Sequence, residues 1–517
     1  MKKQLKIMRR LAVSLLLLVP FLTANAQGPA GCEFPCETEL GETDLLDDFT
    51  PITDDILGNP ADEDWLLYRR TWDMWGHSPL TQIDTDNVKN LALAWSVGME
   101  AGINEATPLV YDGVMYLPNP DDVIYALDAK TGEFIWVHRR DLPSNAGMTA
   151  RIQRNIAIYD DKVFAVAADS NVYALDARTG DLVWETPFTE DYRRVHNSAG
   201  PIVANGMVVS GHACAAGVEN GCFISAHDTD SGEEMWRTYV IAEPGTPEGD
   251  TWGGLPMESR HHVNAWHVGA YDPELNLIYW GTSVPAPSPE IIRGSGDAPM
   301  LYSNSTLAID ADTGEIEWYF QHLPRDNWDF DHTFERLLVD TAVAPDPDAE
   351  GMMAISPHVE PGKEYKVLTG SPGKTAVIWT LDRETGEFLW AKETVQQNVI
   401  ESIDPETGAV TINEDTIPQD VFDSYGLVCP AQPGGKGWQP SSYNPDTNAM
   451  YMPLQNLCGE PEIAVAEWTV EDGYGLSFRY VMAPGESNVG HFAETGETMW
   501  TFESDGGRMS VVSTGGG

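Results

Sequence analysis

Three aspartates, Asp326, Asp329 and Asp331, lie in one short stretch of the chain together with Trp328 and Phe330. Aromatic neighbours lower the local dielectric, which raises the pKa of a carboxylate and suits it to general-base catalysis. The chain contains 80 acidic residues, so a solvated acidic loop is the alternative interpretation. The stretch therefore predicts either a proton-accepting carboxylate or a surface loop.

The charge of the chain restricts its partners. The formal net charge is −50 at pH 7. Nucleic acids and anionic membranes are bound by cationic patches, so this charge argues against both. It favours a basic partner such as a small electron carrier, although solubility in a salty medium would explain the charge without any partner.

Residues 1–26 predict a secretory signal peptide. Basic residues up to Arg10 precede the apolar run Leu11 to Leu22, and the small residues Ala24 and Ala26 follow. The run is short for a membrane span, and no second candidate follows it. The mature protein is therefore expected to be periplasmic or secreted, without a transmembrane segment. A retained signal anchor is the alternative.

Six cysteines in an exported protein are expected to pair as disulfides. Proximity in sequence suggests the pairs Cys32 with Cys36, Cys214 with Cys222, and Cys429 with Cys458. Other connectivities stay open. The sequence contains no Cys-x-x-Cys-His, so we expect electrons to leave to a separate protein or quinone rather than to an attached haem.

A phrase with Asp, Thr or Ser followed by Gly, an acidic residue and a final Trp recurs along the chain. Its copies are Ala126 to Trp136, Ala174 to Trp184, Ala226 to Trp236, Ala308 to Trp318 and Leu381 to Trp390, with a degraded copy ending at Trp500. The Asp and Thr side chains cap a turn, and Gly supplies the positive φ that the reversal needs. Each phrase therefore predicts a β-hairpin, and its Trp is placed to pack on the neighbouring copy.

A second hairpin is predicted upstream of several phrases, for example at 107–116 and 156–164. Two hairpins make a four-stranded sheet of about 40 to 50 residues, the size of a propeller blade. Longer spacings between later copies place the insertions 243–262, 283–303 and 345–362 on loops. Loops of this length on a regular scaffold are where binding and catalysis usually occur.

The pattern predicts an all-β propeller over residues 63–517, preceded by an N-terminal extension over residues 27–62. The chain stops at 513–517, where the apolar strand of another blade should begin. An open propeller exposes unpaired strand edges, so we expect the propeller to be C-terminally incomplete, truncated before the last blade. A naturally short terminus is the alternative.

The tryptophan phrases, the opening segment 87–96 and the segment 271–281 resemble the PQQ-dependent (quinoprotein) alcohol dehydrogenases, where PQQ is pyrroloquinoline quinone. The resemblance covers nearly all of the chain from about Asp64 onward. It implies an eight-bladed propeller with tryptophan docking motifs around PQQ and a calcium or lanthanide ion. It also implies oxidation of an alcohol or related hydroxyl substrate, with electrons passed to a cytochrome c or quinone.

The resemblance also implies a set of site residues. Asp329 falls on the catalytic aspartate of the family, and Asp331 marks the members that use a lanthanide, because a trivalent ion favours a further hard oxygen ligand. PQQ is a flat tricarboxylate, so its site needs an aromatic plate and cations. The matching cofactor-binding positions are Glu105, Arg154, Ser198, Trp266 and Lys374.

Several positions depart from the family. Val284 replaces an asparagine that binds the metal, and Gly437 replaces an asparagine that binds the cofactor. The loop that should carry a glutamate ligand is rebuilt, and only Glu219 offers a carboxylate there. The predicted metal ligands are therefore Asp329, Asp331 and Glu219, unless the metal is lost. A non-catalytic propeller that serves as a binding or assembly scaffold is the alternative function, and a sugar or aldehyde dehydrogenase with the same cofactor would share every site residue.

Overall fold

Sheets of four or five antiparallel strands follow one another along the chain, each completed before the next begins. The computed structural model describes residues 40, 41, 43–143, 152–190, 195–214, 222–421, 425–463, 476–481, 486–504 and 509–517. Six such sheets occur within these ranges, and we number them blades 1 to 6 in chain order. The all-β propeller class is confirmed, whereas the count of eight blades stays a prediction.

The blades are formed by the following strands. Blade 1 contains Leu109–Tyr111, Val114–Asn119, Val123–Asp128 and Phe134–His138; blade 2 contains Ala157–Tyr159, Lys162–Val166, Asn171–Asp176 and Leu182–Pro187; blade 3 contains Ile202–Ala204, Met207–Gly211, Phe223–Asp228 and Glu234–Tyr239. Blade 4 contains Ala270–Asp272, Leu277–Gly281, Ser305–Asp310 and Ile316–Gln321; blade 5 contains Leu337–Val343, Lys363–Gly370, Val377–Asp382, Phe388–Glu393 and Met352–Ile355; blade 6 contains Ser442–Asn444, Ala449–Gln455, Glu486–Phe492 and Thr498–Ser504.

Shorter elements connect the blades. The paired strands are Ile103–Asn104 with Ile152–Gln153, Val195–His196 with Ala213–Cys214, Ile400–Ile403 with Val410–Ile412, Cys458–Ile463 with Leu476–Val481, and His77–Ser78 with Ser513–Thr514. The helices are Asp54–Gly58 and Glu290–Arg293, with 3₁₀ turns at Val88–Asn90, Pro120–Asp122, Gly249–Trp252, Met257–Ser259 and Glu414–Thr416. None of the helices in the described ranges is long and apolar enough to cross a membrane.

The recurring phrase forms the turn between the last two strands of each blade. In blade 1, Asp128 Oδ1 accepts hydrogen bonds from the amides of Lys130 at 2.7 Å and Thr131 at 3.1 Å. The amide of Gly132 donates to the main-chain oxygen of Asp128 at 2.8 Å, and Gly132 has a φ of 75°. The predicted hairpin and its turn chemistry are confirmed.

In the five complete phrases, the terminal tryptophan packs on the glycine of the next phrase. A Cβ atom on Gly180 would lie 2.7 Å from Trp136 Cε3, and Trp136 Nε1 donates to the oxygen of Ala177 at 3.0 Å. The same contact joins Trp95 to Gly132, Trp184 to Gly232, Trp236 to Gly314, Trp318 to Gly386, and Trp390 to Gly496. The predicted packing between copies is thus confirmed.

Residues 65–78 form a strap along the first strands of the blades, which therefore face a common centre. Its main-chain and indole hydrogen bonds join Trp65 to Val110 of blade 1, Trp72 to Val203 of blade 3 and Tyr271 of blade 4, Asp73 to Leu338 of blade 5, and Trp75 to Tyr443 of blade 6. The strap ends where His77–Ser78 pairs in parallel with Ser513–Thr514. It ties five of the six blades together.

Other predictions have mixed outcomes. The disulfides Cys214–Cys222 and Cys429–Cys458 are confirmed, whereas the pair Cys32 with Cys36 and the signal peptide 1–26 lie outside the described residues. The insertion 345–362 is not only a loop, because Met352–Ile355 pairs with Phe388–Glu393 and extends blade 5. Within the predicted N-terminal extension, Ile52 pairs with Asp160 of the turn in blade 2.

Candidate active site

The loop from Asp326 to Asp331 is buried between blades 4 and 5, so it is not the solvated loop considered as the alternative. Asp326 organises the loop, because its Oδ1 accepts from the amides of Trp328 at 2.8 Å and Asp329 at 2.9 Å. Its Oδ2 accepts from the amide of Phe330 at 2.9 Å. Burial raises the pKa of Asp326, although the surrounding amides oppose the increase.

Lys374 lies between the two other aspartates. Its Nζ is 2.7 Å from Asp331 Oδ2 and 3.4 Å from Asp329 Oδ2, and it donates to the main-chain oxygen of Asp329 at 2.8 Å. The amide of Lys374 also donates to the oxygen of Asp331 at 2.9 Å, so backbone and side chain attach to the same loop. The positive φ of Asp329, 64°, is maintained within this network of contacts.

The environment of Asp329 favours its protonated form more than water would. Burial raises its pKa to about 7, Lys374 opposes the shift, and the charge of Asp331 adds to it. Burial disfavours the ammonium of Lys374, but the two carboxylates outweigh this effect and raise its pKa. A carboxylate with a pKa close to neutral pH can accept and release a proton with little cost, as a general base must.

Trp266 connects the aspartate loop to a cationic group. Its Nε1 donates to Asp331 Oδ1 at 3.1 Å, and the guanidinium carbon of Arg154 lies 4.7 Å from its ring centroid. Edge contacts from His267 and Phe334, at 5.7 and 5.8 Å between ring centroids, hold the indole in place. The side chain is half-buried, so part of the plate is accessible.

Arg154 is bound from two sides. Its Nη2 is 2.6 Å from Glu105 Oε2, and its Nη1 donates to Ser198 Oγ at 2.8 Å and to the Ser198 main-chain oxygen at 3.0 Å. Glu105 and Arg154 are neighbours because they directly follow Ile103–Asn104 and Ile152–Gln153, which pair in parallel. Within the described part of the protein, the buried Nε of Arg154 has no hydrogen-bond partner.

The predicted site residues therefore form one continuous series of contacts. Glu105 and Ser198 both contact Arg154, and from Arg154 the series continues through Trp266, Asp331 and Lys374 to Asp329. All except Lys374 lie on segments that precede or join the blades, and Lys374 lies between two strands of blade 5. Glu219 lies outside the described residues, and its role as a metal ligand stays a prediction.

The structure also identifies a contact that no sequence motif predicted. Gln432, on the segment between blades 5 and 6, donates from Nε2 to Asp329 Oδ2. At the positions that depart from the family, Val284 is fully buried, and the residue before Gly437, Lys436, forms a buried ion pair with Glu335 at 3.0 Å. The side chain of Val284 has no oxygen that could bind a metal ion.

The donor set fits a flat polyanion such as PQQ. Trp266 provides an aromatic plate, Arg154 over its ring and Lys374 on Asp331 provide cations, and the buried Nε of Arg154 is a donor without a partner among the described residues. The fit to a metal ion is less complete, because no group of three His, Cys, Asp or Glu side chains suited to a metal occurs among the described residues. Asp329 and Asp331 supply two carboxylates.

These features define the class of protein: a β-propeller with a buried, charged aromatic site formed where its blades join. Residues 65–409, well over half of the chain, match the family "PQQ: Glucose/ethanol/alcohol dehydrogenase, beta-propeller domain". The chain belongs to this family, as its motifs predicted.

Individual relatives agree with this assignment. Quinohemoprotein alcohol dehydrogenase ADH-IIG of Pseudomonas putida is 34% identical over 416 residues, which are 77% of this chain and 55% of that protein. The solved structure of the ADHIIG enzyme has a TM-score of 0.78 at 30% identity and covers 90% of this chain and 71% of its own. A europium-containing methanol dehydrogenase has a TM-score of 0.76 at 25% identity, over 90% of this chain and 83% of its own. The chain spans about half the length of the curated relatives it matches.

Proposed function

We propose that this protein binds PQQ and oxidises an alcohol or a related hydroxyl compound, passing the electrons to an external acceptor. One observation carries the proposal: Arg154 lies over the ring of Trp266, and Trp266 is linked through Asp331 to Lys374 and Asp329. Buried charges with shifted pKa values beside a partly accessible aromatic ring are typical of functional sites, so this combination supports a bound ligand.

Each part of the site has a role in holding the cofactor. Trp266 stacks against the ring system, and Arg154, oriented by Glu105 and Ser198, binds a carboxylate. Lys374 lies where it can donate to a quinone oxygen as well as to the aspartates. When bound, PQQ supplies the two-electron oxidant that accepts the hydrogen of the alcohol carbon.

Asp329 performs the proton transfer in this proposal. Its carboxylate accepts the proton of the substrate hydroxyl while the O–H bond breaks, and its buried position keeps bulk water away from the transfer. Lys374 stabilises the negative charge of Asp329 before the transfer. Asp326 keeps the loop in the conformation that presents Asp329.

A calcium or lanthanide ion is the second proposed cofactor, with Asp329, Asp331 and Glu219 as ligands. Hard cations of this kind prefer carboxylate oxygens, and a trivalent ion gains most from the additional carboxylate of Asp331. Asp331 already accepts from Trp266 and Lys374, so a metal ion would share its oxygens with these donors. The ion would also offset the excess of carboxylates over cations.

The acceptor and compartment belong to the same proposal. Relatives include a 1-butanol dehydrogenase (cytochrome c) of Thauera butanivorans and an alcohol dehydrogenase (quinone) subunit of Gluconobacter oxydans. A cytochrome c or a quinone is accordingly the proposed acceptor. The disulfides Cys214–Cys222 and Cys429–Cys458 support a periplasmic or secreted location, where disulfides persist.

Val284 favours the second candidate function, a propeller that binds partners without catalysis, because an apolar residue stands where the family has a metal ligand. Titration of the exported protein with PQQ separates the two candidates. A saturable change in the PQQ absorption spectrum is expected for the enzyme, and an unchanged spectrum would support the scaffold.

Catalysis is then tested with Asp329→Asn, which keeps the size of the side chain but removes the base. With PQQ and calcium or a light lanthanide, alcohol-dependent dye reduction is expected to fall by about 100-fold or more in this variant, while PQQ binding is retained. Asp348→Asn is the matched control, because Asp348 is exposed in the insertion 345–362. Equal rates for the Asp329→Asn variant and the unmodified protein would remove Asp329 as the base.

A further inference from the structure

Two donors converge on the same oxygen of Asp329. Gln432 Nε2 donates to Oδ2, and Lys374 Nζ lies 3.4 Å from that atom. Within the described part of the chain, Asp329 Oδ1 accepts no hydrogen bond. The two oxygens of this carboxylate are therefore not equivalent.

The segment that carries Gln432 is fixed against Lys374. The amide of Gly435 donates to the oxygen of Lys374 at 2.8 Å, and a Cβ atom on Gly434 would lie 2.8 Å from Lys374 Cβ. At the start of the segment, the amide of Ala431 donates to the oxygen of Leu457 at 2.6 Å, next to the disulfide Cys429–Cys458. Backbone contacts on both sides thus fix the main chain from which the Gln432 side chain reaches Asp329.

We propose that Gln432 is a positioning residue that, together with Lys374, holds Asp329 Oδ2 and leaves Oδ1 to receive the proton of the substrate hydroxyl. The inference rests on the proposed function. A carboxylate held by Lys374 alone could turn about its Cβ–Cγ bond and offer both oxygens to the ammonium. The amide prevents this rotation, so the base keeps one oxygen aimed at the substrate.

Gln432→Met tests the role, because methionine has a similar length and no donor. The expected result is a decrease in kcat on the order of tenfold with little change in KM. The affinity for PQQ and the midpoint of unfolding should stay as they are, since Gln432 is half-buried and touches neither Arg154 nor Trp266. Gln419→Met is the matched control, because Gln419 is exposed and, in the part of the chain that the structure describes, its side chain donates to the main-chain oxygen of Ile417 at 3.2 Å.

Crystal structures of the unmodified protein and the Gln432→Met variant provide a readout that does not depend on turnover. In the variant, the Asp329 carboxylate is expected to rotate so that both oxygens face Lys374. Either an unchanged carboxylate or an unchanged kcat would overturn the inference. If the unmodified protein oxidises no alcohol, the proposed function fails, and the comparison of carboxylate orientation still decides the role of Gln432.

Discussion

At the scale of single residues, three aspartates in one loop differ in role because their surroundings differ. Asp326 accepts hydrogen bonds from main-chain amides and so determines the conformation of the loop. Asp331 contacts both Trp266 and Lys374. Asp329 has one carboxylate oxygen that accepts no hydrogen bond from the described residues. Their spacing in sequence is compatible with all of these roles. The roles follow from burial and from partners that lie far away in the chain.

The sequence named most of the residues that form this series of contacts, because the family motifs mark them individually, whereas their roles in binding and catalysis stay predictions. It did not predict Gln432, whose contact with Asp329 depends on how two segments about 100 residues apart are packed. It also could not show that Arg154 lies over Trp266, since this requires the relative position of two blades. The chemical type of each site residue can be read from the local sequence, whereas the distances and orientations between site residues cannot.

Arg154 offers a test of the cofactor site at this scale. Arg154→Lys keeps the positive charge but removes the planar fork that contacts Glu105 and Ser198, so the Kd for PQQ is expected to rise on the order of tenfold. The measurement is a titration followed by the absorption of PQQ.

Arg140→Lys is a closely matched control. Arg140 also lies 4.7 Å from an aromatic centroid, that of Tyr173, and it pairs with Asp169 at 2.9 Å, but it is not part of the site. This variant should bind PQQ as the unmodified protein does. Unchanged binding in both variants would show that Arg154 does not hold the cofactor.

At the scale of structural elements, the hairpins could be predicted because their turn chemistry is local. The strap over residues 65–78 and the strand Met352–Ile355 could not, because their partners are distant in sequence. Pairing through main-chain hydrogen bonds cannot be recognised from the amino-acid types in the sequence, because almost any residue can form such bonds.

The contact between tryptophan and glycine predicts where the blades are sensitive to substitution. In Gly314→Ala, the added Cβ would lie 2.6 Å from Trp236 Cε3, so the blades must separate or the indole must shift. Gly206→Ala is the control, because Gly206 has a similar φ, 70° against 75°, and no heavy atom within 4 Å of the added Cβ.

In both variants, alanine at a positive φ strains the backbone. Only in Gly314→Ala does the added Cβ also overlap with the indole of Trp236. The free energy of unfolding should therefore be lower in Gly314→Ala than in Gly206→Ala by about 1–3 kcal/mol. Denaturant unfolding measures the difference. Equal stability of the two variants would mean that the tryptophan contact contributes nothing to the association of blades.

At the scale of the whole molecule, the formal net charge of −50 acts on every approaching partner. A basic electron-carrier protein would be attracted over a distance comparable to the Debye length, about 10 Å at 0.1 M salt, whereas a neutral quinone would not be.

For the proposed enzyme, kcat/KM for a basic cytochrome is expected to fall about tenfold or more between 0.01 and 0.5 M salt. Under the same conditions, kcat/KM for a neutral water-soluble quinone should change little. The quinone serves as the control, because any effect of salt on the alcohol site would change both rates equally. Parallel salt dependence of the two acceptors would show that the charge keeps the protein soluble without guiding its partner.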